Sequence, residues 1–347
     1  MDEVLFFCVI YLWEEIKERR STLTAFTKIS QQLQKWINDR YTDIYFLPRA
    51  EKYQIAGQGK KGFENLYYLD NQAALTFINY FKFTSGLNLG ETRRPQMGSM
   101  EFLTKSNEKI YFRISTIGDF NNRESLVLRI IYPVISKLNL FRPQDLINLE
   151  QFTKRRGLML FSGPTGSGKT TLIYYLARKL ALKSMVMSIE DPVEVYEPLF
   201  LQTQVNLSAN MSYSEIIKAS LRHRPDVLII GEIRDEKSAH AAITASLSGH
   251  LVFSTVHARS IYGVLERLTD LGISSSTIKN CLNSICYQRI IPDTNQNLQT
   301  MTQIFDGFKS DYHFTEKQVL KSWQNQLITS LKLGQISKET FERYFYG

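Results

Sequence analysis

The spacing of hydrophobic positions changes character along the chain. Leu33, Trp36 and Ile37 fall at helical spacing, and residues 1–40 read as helical, with residues 1–28 as an N-terminal helical extension. From there to residue 132 the pattern shortens to two-residue alternation. Asp43–Leu47, Lys52–Ala56, Met100–Thr104, Lys109–Thr116 and Glu124–Ile131 read as short half-buried strands, with Gly57–Gly62 as a turn. Gln72–Ser85 is predicted as a helix that Gly86 ends. These elements make a small α+β domain over residues 29–132.

Residues 133–144 read as a linker, and beyond them the pattern changes again. Short unbroken apolar runs, Gly157–Ser162, Met185–Ile189, Val227–Ile230 and Leu251–Ser254, alternate with helical stretches at Lys169–Lys183, Tyr213–Arg222 and Lys237–Ser248. Strands without a polar face, separated by helices, predict a parallel sheet covered on both sides. This α/β domain is placed at residues 145–310, followed by a helical tail at 311–347.

The first of these strands runs into Gly163-Pro164-Thr165-Gly166-Ser167-Gly168-Lys169-Thr170, a G-x-x-x-x-G-K-T phosphate-binding loop between strand and helix. Its glycines let backbone N–H groups turn toward phosphate oxygens, and the helix start adds a positive dipole end. In such a loop Lys169 reaches the β- and γ-phosphates and the Thr170 hydroxyl binds Mg²⁺. No N-K-x-D guanine signature is present, so ATP is the expected nucleotide. The domain is therefore predicted to be a P-loop, RecA-like ATPase.

Two acidic stretches end neighbouring strands. Val227–Ile230 leads through Gly231 to Glu232, which is expected to serve the metal or the attacking water; Gly231 stands where a second acid is common. Met185–Ile189 leads to Glu190-Asp191-Pro192-Val193-Glu194. Parallel strands present these ends beside the phosphate loop, so Glu190, Asp191 and Glu232 are expected to converge. His250 and His257 bracket Leu251–Val256 and are candidates to sense the γ-phosphate or to relay between subunits.

Composition adds little to this. The chain has 347 residues, 43% hydrophobic and 22% charged, an ordinary balance for two packed domains. A net charge of +8 is spread over pairs such as Arg19-Arg20 and Arg93-Arg94 rather than a block, and no aromatic stacking platform accompanies it, so direct nucleic-acid binding is not expected. Cys8, Cys281 and Cys286 form neither a disulfide framework nor a zinc motif. Leu5–Trp13 is apolar but too short to span a bilayer, and its acidic flanks are unlike a signal peptide.

The segment Leu221–Asp235, LRHRPDVLIIGEIRD, resembles the signature of the type II secretion and pilus-assembly ATPase superfamily. IEDPVE is similar to that family's Asp box and GHLVFSTVHA to its His box. Upstream, Tyr41–Pro48, Arg94-Pro95-Gln96 with Gly98, Phe112–Thr116 and Glu124–Ile131 also match family segments. The resemblance implies a homo-hexamer in the cytoplasm, peripheral on the inner face of the cell membrane, working with a polytopic platform protein and pseudopilin machinery. It also implies that N-domain arginines complete the site. Arg113 and Arg129 sit at matching positions, whereas one usual arginine position holds Ser99. A short chain without the family's tetra-cysteine insertion is most similar to Gram-positive competence pseudopilus ATPases, which act in uptake of transforming DNA. Pilus-retraction and type II secretion ATPases are the alternatives, and a DNA-translocating ring a more distant one.

Overall fold

The computed structural model describes residues 27–59, 62–132, 138–206, 209–308, 312 and 314–346. Most of the predicted extension at 1–28, Leu5–Trp13 within it, and part of the linker at 133–144 lie outside these residues. The described residues form two compact units, one ending at Tyr132 and the other beginning at Leu138.

The first unit has α1 (27–38), β1 (Asp43–Arg49), β2 (Lys52–Gly59), β3 (Gly62–Asp70), α2 (Asn71–Thr84), β4 (Gln96–Leu103), β5 (Lys109–Gly118) and β6 (Glu124–Ile131). Its six strands form an antiparallel sheet in the order β3-β2-β1-β6-β5-β4. Alternation decides which face is buried: Ile44 and Phe46, Ile110, Phe112 and Ile114, and Leu126, Leu128 and Ile130 pack with Leu33 and Trp36 of α1 and Ile78 and Phe81 of α2. The predicted turn at Gly57–Gly62 is corrected in part. Gly57 and Gly59 continue β2 in register with β3, and a Cβ on Gly57 would lie 2.6 Å from the Tyr41 ring. Gly57 therefore admits a close aromatic neighbour instead of bending the chain.

Inside this unit Lys82 and Glu124 are buried together. The Lys82 ammonium lies 2.8 Å from one Glu124 carboxylate oxygen and donates to the Glu91 carbonyl at 2.8 Å, so all parts of the pair have partners.

The second unit begins with α3 (Pro143–Phe152) and β7 (Gly157–Ser162), then α4 (Lys169–Ala181), β8 (Val186–Glu190), β9 (Leu201–Gln204), α5 (Tyr213–His223) and β10 (Val227–Ile230). It continues through α6 (Glu236–Leu247), β11 (Leu251–Val256), α7 (Ile261–Asp270), α8 (Ser275–Cys281), β12 (Leu282–Pro292), β13 (Leu298–Asp306), α9 (Glu316–Lys332) and α10 (Lys338–Tyr344). Its seven strands run β13-β12-β7-β11-β10-β8-β9. All are parallel to their neighbours except β13, which pairs antiparallel with β12. The central strands are buried on both faces. Leu158 and Leu160 face a layer that includes Ala242, Val264 and Trp323, whereas Met159 and Phe161 face Leu172, Ile173 and Leu176 of α4. The segment at 311–347 supplies Trp323 and Leu327 to this core.

Candidate active site

The phosphate-loop segment connects β7 to α4, and its shape depends on a neighbouring strand. Gly163 has φ +143°, and a Cβ there would lie 2.2 Å from the Gln288 carbonyl oxygen of β12, so only glycine fits. The Gln288 amide donates to the Ser167 carbonyl at 2.6 Å, which pins the loop from the same strand. The Lys169 ammonium donates to the carbonyls of Gly163 at 2.9 Å and Pro164 at 3.0 Å. Burial pushes the Lys169 pKa below its usual value, and the nearby Glu194 opposes that shift. The Ser167 hydroxyl is buried without a hydrogen-bond partner among the described residues. A glycine-shaped loop at a helix start, with a lysine and an unused hydroxyl, fits a phosphate group.

A cavity of about 500 Å³ opens over this loop, lined by Thr165, Gly166, Gly168, Lys169 and Thr170 together with Glu190, Asp191, Glu194, Glu232, Arg234 and His257. Parallel pairing of β7, β11, β10 and β8 brings these strand ends to one edge. Glu232 is ion-paired with Arg234, and its other oxygen lies 3.3 Å from His257 Nε2. Arg234 also approaches Asp191 at 3.4 Å. Burial first, then the charges of Lys169 and Arg234, lower the His257 pKa, which weakens the charged form of the ring beside Glu232.

Glu190 lines the same cavity but is 5% exposed. Its Oε1 accepts from the Tyr174 hydroxyl at 2.6 Å and from the Ser188 hydroxyl at 2.7 Å. Burial raises its pKa, and these donors oppose the rise. Thr170 Oγ1 instead donates to Glu194 Oε2 at 3.2 Å. Glu194 is thus the carboxylate bonded to the loop, a role that sequence reading did not single out. The signal was present, since Glu194 closes the same acidic run as Glu190. Gln288 and Tyr174 were also missed.

His250 sits before the first residue of β11 and His257 after its last, so roughly 20 Å of extended strand separates them. The His250 ring bonds the Pro225 carbonyl at 2.7 Å, at the end of the sheet away from the phosphate loop. His257 lines the cavity over the phosphate loop, whereas His250 flanks the opposite end of β11. Arg113 and Arg129 belong to the first unit, directly opposite each other on β5 and β6, and Arg129 Nε lies 2.7 Å from Asp43. Ser99 pairs with Arg113 from β4.

The type II/IV secretion system protein family matches residues 19–331. The chain belongs to this family. It is 42% identical over 295 residues to the competence protein ComGA of Streptococcus pneumoniae R6, covering 85% of this chain and 90% of that protein. It is 36% identical over 280 residues to ComGA of Bacillus subtilis 168, covering 78% of this chain and 77% of that one. The pilus retraction motor PilT, solved with bound ADP, shares the fold with a TM-score of 0.69 at 20% identity, over 90% of this chain and 95% of that one. Within the secretion family, the competence, pilus-assembly and secretion relatives agree with the resemblance carried by LRHRPDVLIIGEIRD, IEDPVE and GHLVFSTVHA.

Proposed function

We propose that this secretion-family chain is a Mg²⁺-dependent ATPase that works as a homo-hexameric motor. On this reading it powers assembly of a competence pseudopilus for uptake of transforming DNA, beneath a polytopic membrane platform protein. The observation that carries the ATPase part is the cavity where the phosphate loop, Lys169 and Thr170 meet Glu194 and Glu232. The competence part rests on likeness to two proteins named ComGA, each matched over more than three quarters of its length.

Loop amides and Lys169 neutralise the β- and γ-phosphates of ATP, and the start of α4 adds its positive end. A bound Mg²⁺ would supply Lewis-acid neutralisation of phosphate charge. Thr170 would hold it, with Glu232 or Glu194 behind its water. Glu232 orients the attacking water, and Arg234 and His257 fix the carboxylate that does so. Arg113 and Arg129 add positive charge to the phosphates when the hexamer completes the site. Among the described residues no helix is long and apolar enough to cross a membrane, and the proposed location is peripheral, on the cytoplasmic face.

The test compares the purified full-length chain with its Lys169→Ala variant, with Mg²⁺ and ATP. Wild type is expected to turn over ATP and the variant to lose both turnover and pseudopilus assembly in cells. A variant that still splits ATP, or still assembles the filament, overturns the proposal.

A further inference from the structure

We propose that Tyr174 is a positioning residue for the acidic side of this site, fixing Glu190 and, through it, the turn that presents Glu194 to Thr170. The inference rests on the ATPase reading above and adds residues to it.

Thr170 and Tyr174 are four residues apart on α4, so both side chains leave the same face of the helix, one turn apart. Each grips one end of the acidic turn that follows β8. Thr170 Oγ1 donates to Glu194 Oε2 at 3.2 Å, and Tyr174 OH donates to Glu190 Oε1 at 2.6 Å. Only three residues separate Glu190 from Glu194 along the chain, so the two ends of the turn stay close. Fixing the first end of a turn of this length fixes where its second end projects.

Tyr174 is itself held. Gln202 of β9 donates to the Tyr174 oxygen at 2.9 Å and to the Val195 carbonyl at 2.8 Å, just past the turn. The Val193 N–H bonds Gln204 at 3.3 Å, and the Val205 N–H bonds the Glu190 carbonyl at 2.9 Å. The Tyr174 ring packs against Phe200 with centroids 5.3 Å apart, so the phenol is oriented from both its apolar and polar sides. The hydroxyl spends its one proton on Glu190 and accepts from Gln202, which leaves the buried carboxyl no slack to rotate. The helix that carries Lys169 and Thr170 thereby also sets the acids opposite them.

The test is Tyr174→Phe in the full-length chain, which keeps the packed ring and removes only the hydroxyl. The expected result is a fall in kcat of about tenfold or more with KM for ATP within about twofold, because the loop that binds phosphate is untouched. Added to Glu194→Gln, Tyr174→Phe should cost less than about twofold further, since both then act on one element. Gln202→Leu, which removes the donor to the phenol and to the Val195 carbonyl, should lower kcat in the same direction but less. Wild-type kcat in Tyr174→Phe overturns the inference while leaving the ATPase reading intact. Equal losses in kcat and stability, or full additivity with Glu194→Gln, overturn it too. A wild-type chain that does not hydrolyse ATP removes both readings together.

Discussion

Glu124 of the first unit and Glu190 of the second are both buried, and they are treated differently. In the first unit Glu124 is held by the Lys82 ammonium, which also bonds backbone carbonyls of the loop after α2. In the second unit Glu190 is held by neutral hydroxyls, from Tyr174 and Ser188, and lines a cavity. A buried charge beside an opposite charge is a lock, costly to break once half is removed. A buried carboxyl among neutral donors is held in direction with no opposite charge bonded to it, an arrangement found where a site needs an oriented acid. The sheets differ in the same sense. The first has one face covered by α1 and α2, whereas the second is buried on both faces and gathers its chemistry at the strand ends.

The contrast can be broken most strongly at Glu232. Glu232→Gln should lower ATP turnover by about 10²–10⁴-fold while nucleotide binding and the melting temperature stay near wild type, measured by steady-state hydrolysis and a fluorescent nucleotide. Next comes the lock. Lys82→Met should destabilise the first unit by about 3–5 kcal/mol in urea unfolding, because Glu124 is left buried and unpaired, and Lys82→Met with Glu124→Leu should recover much of that loss. A smaller effect separates loop shape from loop chemistry. Gln288→Leu removes the bond to the Ser167 carbonyl and should weaken nucleotide binding by about tenfold, some 1.4 kcal/mol, with the acids unmoved. The smallest is at the start of α6, where Asp235 and Ser238 form a reciprocal cap. Asp235→Ala should cost about 1 kcal/mol of stability, read as a modest fall in melting temperature with little change in turnover.

Much of the second unit was legible locally. The phosphate loop declares itself because glycines, lysine and threonine occur at fixed offsets between a strand and a helix. Val227–Ile230 and Leu251–Val256 are apolar runs that the structure makes strands. Strands β3, β9 and β12 were not legible. β3 alternates between half-exposed and exposed residues and so carries little hydrophobic period, and β9 is short with two glutamines. β12 has a mixed run, LNSICYQRIIP, and becomes a strand through its pairing with β7 and β13.

The sequence by itself determined that a triphosphate-binding loop stands ahead of a strand-end acid, because that chemistry is written in contiguous residues. It also carried the motifs by which the secretion family is recognised. Only the tertiary structure decided that Gln288 shapes the loop from more than a hundred residues away. It alone decided that Glu194 meets Thr170 while Glu190 turns to Tyr174, and that the His250 ring bonds the Pro225 carbonyl while His257 meets Glu232. Side-chain direction and cross-strand register depend on which elements pack together, and that information is spread over the whole chain.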